Sequence, residues 1–487
     1  MNKKADKTLQ RQLSPTHVWA LAFGCIIGWG SFVNPGKKFL PNSGVAGTAI
    51  AMILGAIVMI IIAFSYAYMI PKYPKAGGEF TFSKECFGRN TAFVCGWFLI
   101  AAYLTNVPMN STAIGLIVDG LDGGANVLKV GFHYTIAGFD IYFGEMIFAI
   151  AILGIFAVIN LLGVKKAGIV QTVLSSLLVA SVFTLAISAL ISSEAQGINM
   201  LPIWGFDKSA AMEAGATTEN ISDFAKSGTS GILSAILATF AIAPWAYVGF
   251  DTIPQAAEEF KFSYKKVIGI MVIAILFGCF VYTTNNTVAA VVLENWPDRV
   301  MAGEWVLLVA AEEMMGVFGK ILIGTAVSCA VLSGIMGFYL SSSRLIYSMA
   351  KDAYLPAIFS KLDEKYGAPR NAIIFCFVIS LSGPILGREA LGWFVDMSAI
   401  GASMGFFFTS ASALKRMRID KDANFRLKII AVIGMVFSLI FMILQLIPIP
   451  GIPGVHFVEE SYLMLLVWII VGALFYFVRT KSHMRIK

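Results

Sequence analysis

The sequence predicts an all-α integral membrane protein of about twelve transmembrane helices, and three observations carry that prediction. Of the residues, 58% are hydrophobic and only 13% charged. Soluble domains carry roughly 25% charge, so this chain cannot cover itself with a water-facing surface. Apolar runs of about 18 residues or more, long enough to cross the hydrocarbon core, recur along it. They are continuous, unlike the alternating segments of about ten residues that build a β-barrel.

In order, the runs fall at about 16–41, 45–71, 91–118, 141–162, 168–192, 230–257, 267–293, 318–348, 371–387, 391–414, 428–448 and 461–479. The polar first residues, followed by an apolar run too long for a signal sequence, make the first span a retained one. With the N-terminus in the cytoplasm, most of the 36 Lys and Arg fall in cytoplasmic connectors and tails, as the positive-inside rule requires. Glu194, Asp207, Glu213, Glu219 and Asp223 gather in the long outer loop. The bias fits an even span count, a multi-pass cell-membrane protein and two cytoplasmic termini. It also accounts for the net charge of +7 without a nucleic-acid partner.

The expected organisation is an N-tail over 1–15, a five-helix repeat over 16–192 and an extracellular loop over 193–229. A second, inverted five-helix repeat covers 230–414, helices eleven and twelve cover 415–479, and a C-tail covers 480–487. The six Cys have no CxxC spacing and the four His are scattered, so no disulfide, metal site or cofactor is expected. No nucleophile–base constellation and no phosphate-binding loop is found, which speaks against an enzyme and against direct drive by ATP.

Two spans are interrupted. The first contains Gly24, Gly28 and Gly30 around Trp29, and each glycine weakens a helix by ~1 kcal/mol relative to alanine. The sixth carries Pro244 and Pro254 on either side of Trp245-Ala246-Tyr247-Val248-Gly249-Phe250-Asp251, and proline removes a ladder donor. Glycine packing and proline kinks are common in membrane helices. Breaks at matching places in two halves, however, are the sequence pointer to a transporter binding site. Free N–H groups near Trp29, Gly30 and Ser31 would open a second half-helix and suit a carboxylate. Carbonyls of Ile26 and Ile27, with those of Trp245 and Val248, would suit an ammonium, and Tyr247 and Gly249 complete the second break. An α-amino acid presents both groups.

Four stretches then resemble the amino acid–polyamine–organocation transporter superfamily, and its amino acid permeases in particular. They are GCIIGWGSF (24–32), YAYMIPKYPKAGGEFTF (66–82), AYVGFDTIPQAAEEFKF (246–262) and SSSRLIYSMAKDAYLPAIFSKLDEKYGAPRNA (341–372). The resemblance implies a five-plus-five inverted repeat with broken helices 1 and 6 and a site between spans 1, 3, 6, 8 and 10. It makes Trp245 an aromatic gate, with core packing the alternative. Asn106 and Met109 resemble a side-chain pocket motif of span three, although Asn106 can equally bond a neighbouring helix. Trp29 stands where many members carry Ser or Thr, which favours a small ligand. Leu178 stands where many sodium-independent members carry Lys. A sodium cage from span-one carbonyls with Ser328 or Ser333 is thereby open, against the alternative that these serines bond their own helix.

Ionisable groups within spans are functional suspects. Asp251 is a proton-coupling candidate or a helix cap. Asp396 and Glu145 read as interfacial, and Glu258, Glu259 and Arg344 as solvated span ends rather than gate ion pairs. The leading expectation is a secondary transporter of small or neutral amino acids, coupled to H⁺, Na⁺ or a counter-substrate. An amine or polyamine carrier and a non-transporting nutrient sensor are the alternatives. The partners are the small molecule and the lipid, and the assembly is a monomer or homodimer.

Overall fold

Apolar side chains at helical spacing set which face of each helix looks outward. In the computed structural model, which describes residues 9–136, 138–420, 424–448 and 456–484 and side chains up to residue 477, almost every element is a helix. Residues 1–8 of the expected N-tail and 485–487 of the expected C-tail lie outside the described residues.

The chain opens with α1 (Pro15–Ile26), α2 (Gly30–Asn34), a π-helical turn (Pro35–Phe39) and α3 (Leu40–Met69). Ser14 caps α1 by accepting the His17 N–H at 3.2 Å. Gly44, at φ 60°, turns the corner inside α3. A side chain there would run into the backbone of Ile203 and Gly205. Next come α4 (Gly78–Phe87), α5 (Arg89–Leu104), α6 (Asn106–Leu121), a two-stranded hairpin of β1 (His133–Ile136) and β2 (Phe139–Tyr142), α7 (Phe143–Leu161) and α8 (Val164–Ile191). The outer loop carries α9 (Lys208–Glu213) and leads to α10 (Gly228–Phe240), α11 (Ala243–Ala246) and a 3₁₀ helix, Phe250–Glu259. The rest is α12 (Val267–Val291), α13 (Trp296–Met301), α14 (Val306–Met315), α15 (Val317–Lys351), α16 (Arg370–Ser380), α17 (Ser382–Leu386), α18 (Ala390–Ile419), α19 (Phe425–Leu446) and α20 (Glu459–Met484).

Nine helices among the described residues are long and apolar enough to cross a membrane, and Pro15–Ile26, Gly228–Phe240 and Arg370–Leu386 are shorter apolar helices. The twelve expected runs fall on these. The hairpin, in the connector between the third and fourth expected runs and reaching into the start of the fourth, is the one sheet among the described residues; its Tyr134 hydroxyl donates to the Ile385 carbonyl at 2.6 Å.

On α8, Ile169, Val173, Leu177 and Ile187 are exposed, while Gln171, Ser175, Leu178, Val182 and Leu185 turn inward. Such a one-sided apolar stripe on the outside of an already buried core is a lipid face. At the centre, α1 packs on α8, α12, α15 and the 250–259 helix. The two interrupted spans thus lie against each other in the interior.

At the end of α18, Asp420 ion-pairs with Lys72 at 2.5 Å and Arg416 at 3.0 Å and accepts the Tyr68 hydroxyl at 2.6 Å. Lys72 first, then Tyr68, hold its carboxyl at about 2. A carboxyl depressed on folding stabilises above its unfolded pKa of about 4, and that contribution is lost as pH falls through the folded value. Asp420→Asn is therefore expected to lower the melting temperature slightly at pH 7. Melting in detergent should show the difference from wild type closing between about pH 4 and pH 2.

Candidate functional site

The break in the first span is a failure of the backbone ladder. Ile27 leaves the helix in extended geometry (φ −96°, ψ 101°), its N–H still bonded to the Phe23 carbonyl. Helical bonding resumes with the Ser31 N–H to the Gly28 carbonyl at 3.2 Å and the Phe32 N–H to the Trp29 carbonyl at 3.0 Å. Among the described residues, the N–H groups of Gly28, Trp29 and Gly30 make no hydrogen bond. The Ser31 N–H is paired, and its hydroxyl also donates to the Gly28 carbonyl at 3.0 Å. The unpaired run therefore starts one residue earlier than expected, because the helix restarts on the Gly28 carbonyl.

The second break follows from Pro244 and Gly249. Pro244 lies in α11, and the Val248 N–H closes back on the Trp245 carbonyl at 3.2 Å. Gly249 sits at φ 148°, and a side chain there would meet the Ile26 N–H and the Ala22 carbonyl of α1. Only glycine lets the two breaks approach this closely. The Trp245 carbonyl is thus occupied, contrary to its expected role, and the Ile26 carbonyl takes the Tyr282 hydroxyl at 3.4 Å. The carbonyls of Ile27 and Val248 accept no bond among the described residues.

Two indoles cover this place. Trp29 and Trp245 have ring centroids 6.3 Å apart, and Gly30 leaves room for the Trp245 ring. Trp29 is buried with its indole N–H unpartnered. Both rings line a cavity of ≈ 110 Å³ together with Asn34, Lys37, Lys38 and Ile242. Trp29 also lines a cavity of ≈ 460 Å³ bordered by Asp119, Glu304, Trp305 and Arg388. At its edge Arg388 pairs with Asp119 at 2.5 Å and Glu145 at 2.8 Å.

Other expected residues are placed differently. Asn106 donates to the Ala102 carbonyl at 2.6 Å and to Ser398 of α18 at 2.7 Å, which ties two helices together. Met109 is buried in the core. The Tyr247 hydroxyl bonds the Met52 carbonyl at 2.8 Å, toward α3. Ser333 donates to the Gly24 carbonyl at 3.1 Å as well as within its own helix. Ser328 lies five residues away, about 7.5 Å along the helix axis, and is half-buried. Leu178 is buried, while Gln171 and Ser175, two turns and one turn earlier on α8, both donate to the Ala20 carbonyl, at 3.1 and 3.0 Å.

Four features escaped the sequence reading. Asn110 has a buried, unpartnered Oδ1, and a methyl placed on Gly28 would lie 3.5 Å from it. It stands one helical turn after Asn106, which is the signal that was present. Glu259 and Arg344, expected at solvated ends, form a two-pronged ion pair at 3.2 Å that is 2% and 1% exposed. Two groups deep in a bundle find each other there because solvent is excluded and neither can remain alone. Glu79 accepts from Tyr66 at 2.8 Å, from Tyr103 at 3.0 Å and from Gln255 at 2.6 Å. The same Tyr103 hydroxyl, with one hydrogen to give, also has the Asp251 main-chain carbonyl at 3.0 Å and Asp251 Oδ2 at 3.1 Å within reach. Asp251 itself was read in the sequence as a coupling group or a helix cap, and its Oδ1 accepts the Gly249 N–H at the start of its helix at 2.7 Å.

A family model described as amino acid permease matches residues 13–475. The chain is 24% identical over 486 residues to a methylthioribose transporter of Bacillus subtilis, covering 98% of this chain and 95% of that one. It is 24% identical over 487 residues to the branched-chain amino acid permease BcaP of the same organism, with 99% and 95% covered. It is also 25% identical over 377 residues to the human large neutral amino acids transporter small subunit 2, with 77% and 64% covered.

Proposed function

Because this chain belongs to the amino acid permease family, we propose that it is a secondary transporter carrying a small or neutral zwitterionic amino acid across the cytoplasmic membrane. In this reading twelve spans form a five-plus-five inverted repeat with both termini in the cytoplasm, and the repeats rock about a fixed site. One observation carries the reading. The three unpaired N–H groups of Gly28, Trp29 and Gly30 lie at one break, with unpaired carbonyls of Ile27 and Val248 at the paired breaks. Each buried unpaired polar group costs about 1–3 kcal/mol, and an amino acid's carboxylate and ammonium satisfy both sets at once. Asn110 Oδ1 adds a further acceptor beside Gly28.

The cavity between the indoles is small and carries Lys37 and Lys38 with no acidic side chain among its lining residues. This favours a carboxylate-bearing ligand over a polyamine. The Ala20 and Gly24 carbonyls already receive Gln171, Ser175 and Ser333, which favours a proton or a counter-substrate over sodium. In this reading, the cavity at Trp29 and the buried Glu259–Arg344 pair support a state closed toward the cytoplasm.

The relatives named above carry a thioether sugar, branched-chain and large neutral amino acids, so the test is a panel. Purified protein in liposomes, with labelled alanine, leucine, arginine and methylthioribose, is expected to take up or exchange alanine or leucine. Uptake confined to methylthioribose, which has neither carboxylate nor ammonium, would overturn the substrate assignment. Binding of all four without flux would overturn transport in favour of a sensor.

A further inference from the structure

The interior holds two carboxylates that the substrate site does not use. Glu79 on α4 and Asp251 on the 250–259 helix are both wholly buried. Neither is ion-paired to a Lys, Arg or His among the described residues. What joins them is one hydroxyl. Tyr103 Oη lies 3.0 Å from Glu79 Oε1, 3.1 Å from Asp251 Oδ2 and 3.0 Å from the Asp251 main-chain carbonyl.

A tyrosine hydroxyl has one hydrogen to give and lone pairs to receive. With both carboxylates ionised, two buried like charges would compete for that one hydrogen, with no cation to offset them. Two carboxylates sharing a site cannot both ionise cheaply. One added proton removes the conflict. Glu79 then donates to Tyr103 Oη, Tyr103 donates to Asp251 Oδ2, and the pair falls from two negative charges to one. The other Glu79 contacts persist, with Tyr66 and Gln255 donating to it.

The surroundings add no competing charge. Tyr66 comes from α3, Tyr103 and Cys95 from α5, Gln255 from the 250–259 helix and Thr409 from α18, while Cys25 of α1 faces Asp251. All are neutral, so the charge of this cluster is set by its own two acids.

Asp251 also connects the cluster to the substrate site. Its second oxygen accepts the Gly249 N–H at 2.7 Å, at the residue that lets the second break lie against α1. A change in the pair's charge alters the grip on that N–H, and with it the packing of the two breaks.

We propose that Glu79 and Asp251, bridged by Tyr103, form a single proton-binding site whose loading is coupled to movement of the interrupted spans. This rests on the transport reading above and names its coupling ion.

Wild type, Glu79→Gln, Asp251→Asn and Tyr103→Phe are reconstituted in liposomes with labelled leucine and alanine as probes. An acidic-outside gradient is expected to drive accumulation in wild type. In Glu79→Gln the ratio of gradient-driven accumulation to counterflow exchange should fall about tenfold, within the range that coupling between sites usually spans. An unchanged ratio would overturn the proposal.

A substrate-free measurement separates this from the transport reading. Infrared difference spectra on acidification should show a protonated-carboxyl band in wild type that is lost in Glu79→Gln or Asp251→Asn and shifted in Tyr103→Phe. The same band in all four proteins would overturn the site even if transport is found. Loss of the band with no wild-type flux of either probe would overturn transport and leave the proton site standing. Should Glu79→Gln fail to fold, Tyr103→Phe decides: an unshifted band sinks the bridge.

Discussion

Arg344→Met is expected to destabilise the protein by ~3–5 kcal/mol, the usual cost of removing one partner from a buried ion pair. The cost arises in what is left behind. Glu259 would keep its carboxylate at 2% exposure with both guanidinium contacts gone. The consequence reaches further than one side chain, because the Glu259 carbonyl holds the start of the described chain. Both the Gln12 and Leu13 N–H groups donate to it at 2.9 Å, and the Lys261 N–H returns to the Leu13 carbonyl at 2.9 Å. The pair and this short bridge together tie the N-terminal segment, the 250–259 helix and α15. The double variant Arg344→Met/Glu259→Leu removes both charges and should recover most of the lost stability, since apolar replacements of a buried pair are often neutral or better. Thermal unfolding of purified protein in detergent measures both. A double variant as unstable as the single one would show that the stranded charge is not the cause.

These two charges mark where reading the sequence reached its end. Hydropathy placed the helices because lipid exposure is written into local composition, as the stripe of Ile169, Val173 and Leu177 on α8 illustrates. Glycine and proline placed the two breaks because they act on their own backbone, within a few residues. The Gly28–Trp29–Gly30 break was legible for that reason, and its one-residue shift away from Ser31 is a detail of where bonding restarts. Charges near span ends were read as solvated because one dimension does not show what covers them. Glu259 meets Arg344 across 85 positions, and Glu79 meets Gln255 across 176. Asn110 was missed for a related reason: its importance lies in facing Gly28, a tertiary fact. Asn106, read either as a pocket residue or as a bond to a neighbouring helix, donates to Ser398 of α18, as the second reading has it.

Gly30→Ala is expected to weaken ligand binding by roughly 5- to 150-fold, equivalent to the 1–3 kcal/mol that overpacking costs in a tight site. A methyl group at residue 30 would overlap Cη2 of Trp245 and sit 3.0 Å from Asn34 Nδ2. The indole would have to swing away, with the Trp29 ring as a near neighbour at 6.3 Å between centroids. The clash is specific to one part of one ring, which makes it separable from a general loss of folding. Trp245→Phe removes that part of the ring. In the Phe background, Gly30→Ala should therefore cost much less than it does alone, and the two changes should be non-additive in the manner of residues in contact. Thermal shift of the four proteins of this cycle, titrated with leucine and alanine, gives the coupling directly, because ligand binding to the folded state raises its stability by mass action. If the two substitutions weaken binding additively, the contact between Gly30 and Trp245 does not shape the site, and the closeness of the two breaks serves packing alone. If the coupling appears, the absence of a side chain at residue 30 is what lets the Trp245 ring take its place against the first break and so shapes ligand binding.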